Sequence, residues 1–340
     1  PRQNHGTRCY LGVLFGWAYF NRHYEIPEVG QWRARVDQMF SIGETCSKQL
    51  CDENGHGWNN CMGDFVSYAL LTGNTAFFDS GMARLAANRA AANCTSNGFV
   101  ATVGDGDLES HPNWFLAAVA FYLRDPGLRF VVENMALRRD ERLDSDWRPW
   151  RQSYDGGLAA CLPAEHVGTR AFPLDRAYYD IPKNSQGNPH VSSPLDRSQG
   201  NAYLALREPN VPFGQTFDIL TMRSGWDRTS QYLILDGTGG GSHSYEDANA
   251  ILTFVQDDRL LLLSPDSCFC CSAPKNHNMV TVTRNGQGAR FRSYCRLDTK
   301  VDLPTFGLTS TTLPDYIGTD WTRTLLWKKG DFFLVVDRLR

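Results

Sequence analysis

The chain has 340 residues, of which 42% are apolar, and its formal net charge is −3. This length can bury one large core or two ordinary ones, so two domains are expected. Positive and negative side chains are interspersed without a basic run, which argues against a nucleic acid partner. No stretch approaches the roughly 20 apolar residues of a membrane span. The chain begins without Met and stops directly after an expected strand, so we expect both ends to be cuts in a longer protein.

The first half of the chain alternates between apolar and amphipathic segments. The apolar segments are 9–20, 58–71 and 113–123, and a helix without a polar face is expected to be buried. The segments 29–40, 75–92 and 128–138 have apolar residues at helical spacing, which predicts amphipathic helices. Such pairs, repeated about every 45 to 55 residues, are typical of an (α/α) toroid with inner and outer helices.

The second half of the chain favours strands. Pro, Gly, Asn and Ser interrupt any periodicity before residue 216, which predicts a linker there. Short apolar runs then predict an antiparallel sheet stack, with strands at 233–235, 251–255, 260–263, 279–283, 324–327 and 332–336. The expected domains are a toroid at 1–165, a linker at 166–215 and a β-domain at 216–340.

Ten cysteines are many for a cytosolic enzyme. Six lie in the first half and four in the second, so each half can close its own disulfides. We expect at least two disulfides and therefore an oxidising compartment.

One glycine-rich loop concentrates the polar chemistry of the β-domain. Three glycines at 239–241 are followed by His243, Tyr245 and two carboxylates, between two expected strands. Glycines allow positive φ and a close approach of the backbone, which suits a binding loop. A long hairpin with a polar turn is the alternative interpretation.

Three segments of the β-domain resemble, in order, the heparinase II/III-like polysaccharide lyases. They are the loop with its flanking strands at 219–254, the His-Asn segment at 276–280 and the closing hairpin at 320–337. The resemblance implies an α+β multidomain protein, with an incomplete N-terminal (α/α) toroid followed by a C-terminal antiparallel β-sandwich. It also implies a lyase that cleaves an acidic, uronic-acid-containing polysaccharide by β-elimination. Together with the cysteines, the resemblance indicates a secreted or periplasmic protein. It leaves open whether the protein forms a homo-oligomer.

The resemblance also suggests catalytic residues. Asn4 and His5 resemble the family's Asn-His pair, which binds the substrate carboxylate and assists proton transfer, and His243 matches the first histidine of the family's loop. Tyr245 stands where many members have a second histidine, so it becomes a candidate catalytic phenol. No tyrosine occupies the family's toroid position, and His56 is the candidate base in its place because imidazole titrates near neutral pH.

Other residues are candidates for binding. Arg223, Trp58 and Asn249 are the predicted substrate-binding residues. The family's metal positions fall on His277 and near Asp266 or Ser264, which is a poor donor set for zinc. The expected lyase requires no cofactor, and a structural zinc or calcium ion stays the alternative.

Two alternative functions remain open. The carboxylates at 105, 107 and 109 suit the acid and base of an (α/α)-toroid glycoside hydrolase, although a solvated acidic loop is the simpler interpretation. A non-catalytic carbohydrate-binding or assembly protein would instead use tryptophans as sugar platforms, with Trp17, Trp58, Trp114 and Trp150 as candidates.

Overall fold

The computed structural model describes residues 4–48, 57–104, 112–138, 161–180, 209–239, 247–264, 274–285, 287–288 and 293–340. Helices make up the first part of the chain, and the bounds of the α-helices are α1 Asn4–His23, α2 Val29–Phe40, α3 Gly63–Thr72, α4 Ala76–Asp79, α5 Met82–Asn93, α6 Asn113–Leu123, α7 Pro126–Arg138 and α8 Arg176–Tyr179. A π-helix at Gly57–Met62 runs directly into α3. No helix in these ranges is long and apolar enough to cross a membrane.

Most predicted helices are present, with two changes of shape. The segment predicted as one helix at 58–71 begins as the π-helix before it becomes α3. The segment 75–92 is broken into α4 and α5 at Gly81, whose φ of 83° lies in the left-handed region. The break follows because glycine adopts this conformation without the steric strain of a side chain.

The prediction that α1 is buried on every face was wrong. Leu11 and Leu14 are buried in the helical core, whereas Phe15 and Tyr19 are each 54% exposed. The contacts of α1 with other elements run mainly to α2, the π-helix and α3. An all-apolar sequence could not show which face of the helix these neighbours leave uncovered.

Antiparallel sheets form the second part of the chain. The strands are β1 Gly168–Ala171, β2 Ile219–Arg223, β3 Tyr232–Asp236, β4 Thr238–Gly239, β5 Ile251–Gln256, β6 Arg259–Leu263, β7 Thr283–Arg284, β8 Gln287–Gly288, β9 Ser293–Tyr294, β10 Arg296–Asp302, β11 Phe306–Leu313, β12 Trp321–Lys328 and β13 Phe332–Leu339. A five-stranded sheet has the order β1-β2-β3-β5-β6, and a four-stranded sheet has the order β10-β11-β12-β13. The two remaining sheets are the pairs β4-β9 and β7-β8.

The two larger sheets share one apolar core. Leu220, Leu233 and Leu235 of the five-stranded sheet belong to the same buried cluster as Trp321 and Trp327 of the four-stranded sheet. The indoles supply a large apolar area at this contact. The architecture is therefore a helical part followed by packed antiparallel sheets.

The strand predictions were accurate at five of six positions. The exception is 279–283, where the described structure is a single bridge from Asn278 to Ile251 and a strand that begins only at Thr283. The strands β10 and β11 were not predicted. The strand β1 lies inside the segment expected to be the linker, and it pairs with β2.

The predicted disulfides are absent among the described cysteines. Cys9, Cys46, Cys61, Cys94 and Cys161 of the first half and Cys295 of the second are reduced. The prediction that the first half closes its own disulfides was therefore wrong for its described cysteines, and the remaining four cysteines of the chain lie outside the described residues.

Candidate functional site

Three helices begin close together at one end of the helical part. α1 and α6 both contact the π-helix that precedes α3. The Asn59 side chain accepts a hydrogen bond of 3.4 Å from the backbone N–H of Phe115, in the first turn of α6. Trp114 packs directly over Gly63, where a Cβ atom would stand 2.7 Å from the indole ring. The absence of a side chain at Gly63 thus lets α6 approach the start of α3.

We call this group of residues the helix-start cluster, and it consists of His5, Arg8, Asn60, Asp64 and Trp114. Arg8 is its cation. Arg8 Nη2 donates a hydrogen bond of 2.7 Å to Asn60 Oδ1 and lies 3.2 Å from Asp64 Oδ1. His5 precedes Arg8 by one helical turn on the same face of α1. Both His5 and Arg8 are exposed.

Asp64 is the buried anion of the helix-start cluster. Its side chain is only 2% exposed, and burial raises the pKa of the carboxyl to about 6, although a hydrogen bond from Thr7 and the charge of Arg8 oppose this shift. Among the described residues, Asp64 Oδ2 makes no hydrogen bond. The arrangement therefore holds a carboxylate in a location that disfavours its charge.

The other predicted residues of the helical part have different positions. Asn4 begins α1, and nothing further is described for its side chain. His56 lies outside the described residues, as do the acidic loop at 105–109 and Trp150. Trp58 is 6% exposed and its ring stacks on Phe115 at a centroid distance of 6.3 Å. Its part in substrate binding stays a prediction.

The glycine-rich loop of the β-domain is described only at its two ends. Residues 240–246, which include His243 and Tyr245, lie outside the described residues. At one end Gly239 pairs with Ser293, and at the other Asn249 has a φ of 70°. The roles of His243 and Tyr245 therefore stay predictions.

A hydrogen-bonded network fixes the second end of this loop. Asn249 Oδ1 accepts a hydrogen bond of 2.6 Å from Thr311, and Arg323 Nη1 donates to the carbonyl oxygens of Asn249 and Asn278 at 2.9 and 2.7 Å. Asp337 holds Arg323 through two hydrogen bonds of 2.8 and 2.9 Å. Asn249 is buried, and its described contacts anchor the loop rather than face solvent.

The predicted metal residues do not form a metal site in the described ranges. His277 Nδ1 lies 2.7 Å from Ser264 Oγ, and both side chains are buried. Asp266 lies outside the described residues. The described ranges hold no group of three or more His, Cys, Asp and Glu residues that could bind a metal ion. A histidine with a serine hydroxyl is a weak donor set for zinc or calcium, and the metal stays a prediction.

Arg223 lies where the helices meet the five-stranded sheet. It donates hydrogen bonds to the carbonyl oxygens of Cys94 and Ala92, and its guanidinium stacks over the rings of Trp226 and Tyr232 at 3.8 and 4.5 Å. Burial lowers its pKa to about 10. These described contacts are internal to the protein, so its predicted contact with substrate stays a prediction.

Comparison with solved structures identifies the architecture. A mutant heparan sulfate lyase from Pedobacter heparinus matches 96% of this chain and 44% of its own, with a TM-score of 0.53 and 13% identity. A heparinase III gene product matches 100% of this chain and 46% of its own, with a TM-score of 0.60 and 10% identity. The chain shares the fold of these lyases. It spans less than half of their length, and no protein-family model and no curated protein sequence matches it.

Sequence reasoning missed two charged groups of this heparinase-like fold. One is the pair Arg8 and Asp64, which are 56 positions apart in the chain (64 − 8). The other is a buried set that we call the junction cluster and define as Lys48, Arg89, Asp175 and Asp218. For Arg89 the available signal was an arginine in the second half of an alanine-rich helix, and for Asp64 it was a lone carboxylate within an apolar segment.

Proposed function

We propose that this chain is part of a polysaccharide lyase that cleaves an acidic, uronic-acid-containing polysaccharide by β-elimination. The fold likeness to heparan sulfate lyase and heparinase III structures over nearly the whole chain carries this proposal. A cationic side chain and an imidazole exposed together at the helix-start cluster support it. An anionic sugar needs such positive groups locally, since the net charge of the chain is −3.

The reaction sets clear demands on the site. A base removes the proton from the ring carbon beside the carboxylate, the adjacent carbon–oxygen bond breaks, and a carbon–carbon double bond forms. The departing oxygen takes a proton from an acid. Neutralising the carboxylate favours the first step because negative charge builds up there in the transition state.

The chain offers residues for each demand. We assign carboxylate binding and proton transfer to Asn4 and His5, with His56 as the base on the helical side. His243 and Tyr245 of the glycine-rich loop are the proposed acid-base groups on the sheet side. The anchoring of that loop at Asn249 by Thr311 and Arg323 supports this assignment, because a fixed loop end restricts where the loop can present its side chains.

The proposal extends to architecture and location. The helices would form part of an (α/α) toroid, and the sheets would form a β-sandwich, with the polysaccharide bound between them. The proposed reaction requires no cofactor. A secreted or periplasmic location fits a polysaccharide substrate.

Incubation with a panel of uronic-acid polysaccharides tests the proposal. We expect ultraviolet absorbance to grow as the unsaturated product accumulates. New reducing ends without that absorbance would instead indicate a hydrolase, and retention on immobilised polysaccharide without cleavage would indicate a binding protein. Either result would contradict the lyase.

A variant of His5 tests its assigned role. His5→Ala is expected to reduce turnover by about 10² to 10⁴, the usual range for a positioned acid-base group. His23→Ala, at the other end of the same helix, is the matched control and is expected to retain activity. Equal turnover of both variants would place the proton transfer elsewhere.

A further inference from the structure

The exposed guanidinium of Arg8 is oriented by the protein. About half of its side chain, 54%, is exposed, yet Asn60 and Asp64 both contact one nitrogen, Nη2. The donors on Nε and Nη1 are not used in these two contacts. A guanidinium presents its donors in a rigid plane, so fixing Nη2 also fixes the direction of the others.

The partner carboxylate differs from that of an ordinary surface ion pair. In Lys328–Asp331, for comparison, the two side chains are 60% and 53% exposed. Asp64 is 2% exposed, and among the described residues its Oδ2 atom makes no hydrogen bond. An unpartnered buried carboxylate oxygen disfavours folding, so stability alone does not account for this residue.

The helices around Arg8 favour the binding of an anion to its guanidinium. α1, the π-helix and α6 begin in this region, and the N-terminal end of a helix carries a partial positive charge. His5 is exposed one turn away. Arginine binds planar oxyanions through two parallel hydrogen bonds, which suits a carboxylate or a sulfate group.

We propose that Arg8 binds the oxyanion of an acidic sugar, and that Asp64 and Asn60 are positioning residues that aim its guanidinium. The inference rests on the proposed function for the identity of the sugar, and it adds residues to the site. Asp64 acts through Arg8 and does not touch the sugar.

Binding measurements test the inference separately from turnover. Dissociation constants would be measured by calorimetry for wild type, Arg8→Gln and Arg22→Gln, with a non-sulfated uronate polysaccharide and with dextran sulfate. Arg22 is exposed near the end of the same helix, so its variant removes an equal charge at a distance. We expect Arg8→Gln to weaken binding by about 10-fold or more, the loss of one charge-assisted contact, and Arg22→Gln by less than about 2-fold.

Two further variants separate a positioned guanidinium from simple charge. Arg8→Lys keeps the charge and loses the planar donor pair, so we expect it to recover only part of the lost affinity. Asp64→Asn is expected to weaken binding by about 3-fold or more while raising thermal stability at pH 8. A merely structural Asp64 would lose stability on this change, and that result would contradict its positioning role.

The outcomes distinguish the inference from the proposed function. A 10-fold loss for the uronate chain indicates that Arg8 binds a carboxylate, and the same loss for dextran sulfate alone indicates a sulfate. Equal affinities of Arg8→Gln and Arg22→Gln would overturn the inference even if the protein is a lyase. Binding that depends on Arg8, without any unsaturated product, would overturn the lyase and leave the inference standing. Wild-type protein that binds neither polysaccharide would overturn both.

Discussion

The helix-start cluster and the junction cluster differ in what surrounds their carboxylates. In the junction cluster, Asp218 is paired with both Lys48 and Arg89, and all three side chains are less than 10% exposed. In the helix-start cluster, Asp64 faces one half-exposed arginine and keeps an oxygen without a hydrogen bond. The first arrangement satisfies its charges inside the protein, while the second directs a cation outward. The buried carboxylate thus has two buried cationic partners where the fold is joined, and one half-exposed cationic partner where a ligand is proposed.

The junction cluster connects the helical part with the segments that lead into the sheets. Arg89 donates to the carbonyl oxygen of Pro173 at 2.7 Å and to Ser47 Oγ at 2.9 Å. The backbone N–H of Ser47 donates to Asp175 Oδ2 at 2.6 Å, and Asp175 Oδ1 caps α8. The Arg89–Pro173 and Ser47–Asp175 contacts span 84 and 128 positions in sequence, so they depend on the docked arrangement of the two parts.

Removing the shared carboxylate of the junction cluster should have the largest effect on stability. Asp218→Ala leaves Lys48 and Arg89 buried without their partner, and breaking a buried pair in this way costs about 3 to 5 kcal/mol. Chemical unfolding of wild type and variant measures the loss. Asp331→Ala at the exposed Lys328–Asp331 pair is the control, with an expected change below about 1 kcal/mol. Similar losses of unfolding free energy for both variants would mean that the stability of the junction does not depend on the burial of its charged pairs.

His166 should make the region beside the junction sensitive to acid. It is buried and stacks on Phe172 at 5.6 Å, and burial, followed by the charge of Arg223, lowers its pKa to about 3, while Asp125 opposes and Arg170 supports the shift. The unfolded chain binds the proton below pH 6.5 and the folded chain does not, so stability falls as pH drops from about 6.5 towards 3. At pH 4.5 the expected loss relative to pH 7.5 is about 2 to 3 kcal/mol from this residue.

The variant His166→Phe isolates that contribution. Phenylalanine preserves the ring contacts and removes the titration, so the part of the acid sensitivity that comes from His166 should disappear. Unfolding free energies measured from pH 7.5 to 4.5 would reveal the change in slope. His23→Gln, at an exposed histidine, should leave the slope unchanged. An identical slope in wild type and His166→Phe would show that His166 is protonated in the folded protein.

Asp64 is expected to have a smaller effect on the pH dependence of stability, and its sign is opposite to that of His166. Its raised pKa means that the folded protein binds a proton more readily than the unfolded chain between about pH 3.8 and 6, so ionisation lowers stability above that window. Asp64→Asn should therefore stabilise the protein at pH 8 by about 1 kcal/mol, a value reduced for screening by water near Arg8. Thermal unfolding at pH 8 and at pH 4 measures this, and the advantage of the variant should vanish at the lower pH.

The sequence predicted elements well where an apolar or amphipathic run ends at clear breaks. α2 and α6 have the predicted bounds, and the β12–β13 hairpin lies where the apolar runs indicated. β11 was missed because it contains Thr309, Thr311 and Thr312, which are buried through hydrogen bonds and packing that the sequence does not show. The charged β10 was missed because it lies mostly at the surface, where no apolar alternation marks it.

The candidate site was less predictable than the fold. His5 was identified through its resemblance to a family motif, and the structure adds Arg8 on the same face of the helix. The link from Arg8 to Asp64 depends on how two helices pack, and no local pattern encodes that contact. Arg223 is the opposite case. Its position in a family-like motif suggested contact with a ligand, whereas its described partners lie within the protein.

The π-helix at Gly57–Met62 makes the packing of its neighbouring helices depend on the number of residues that it contains. A π turn accommodates one residue more than an α turn. Deleting one residue within it would allow an ordinary α-helix to form, and each residue of an α-helix turns the chain by about 100°. The residues on the N-terminal side of the deletion would then rotate relative to α3, which would carry Asn59 away from α6 and disturb the contact between Asn60 and Arg8. A single-residue deletion could thus leave the helix intact while it changes the side chains presented to α1.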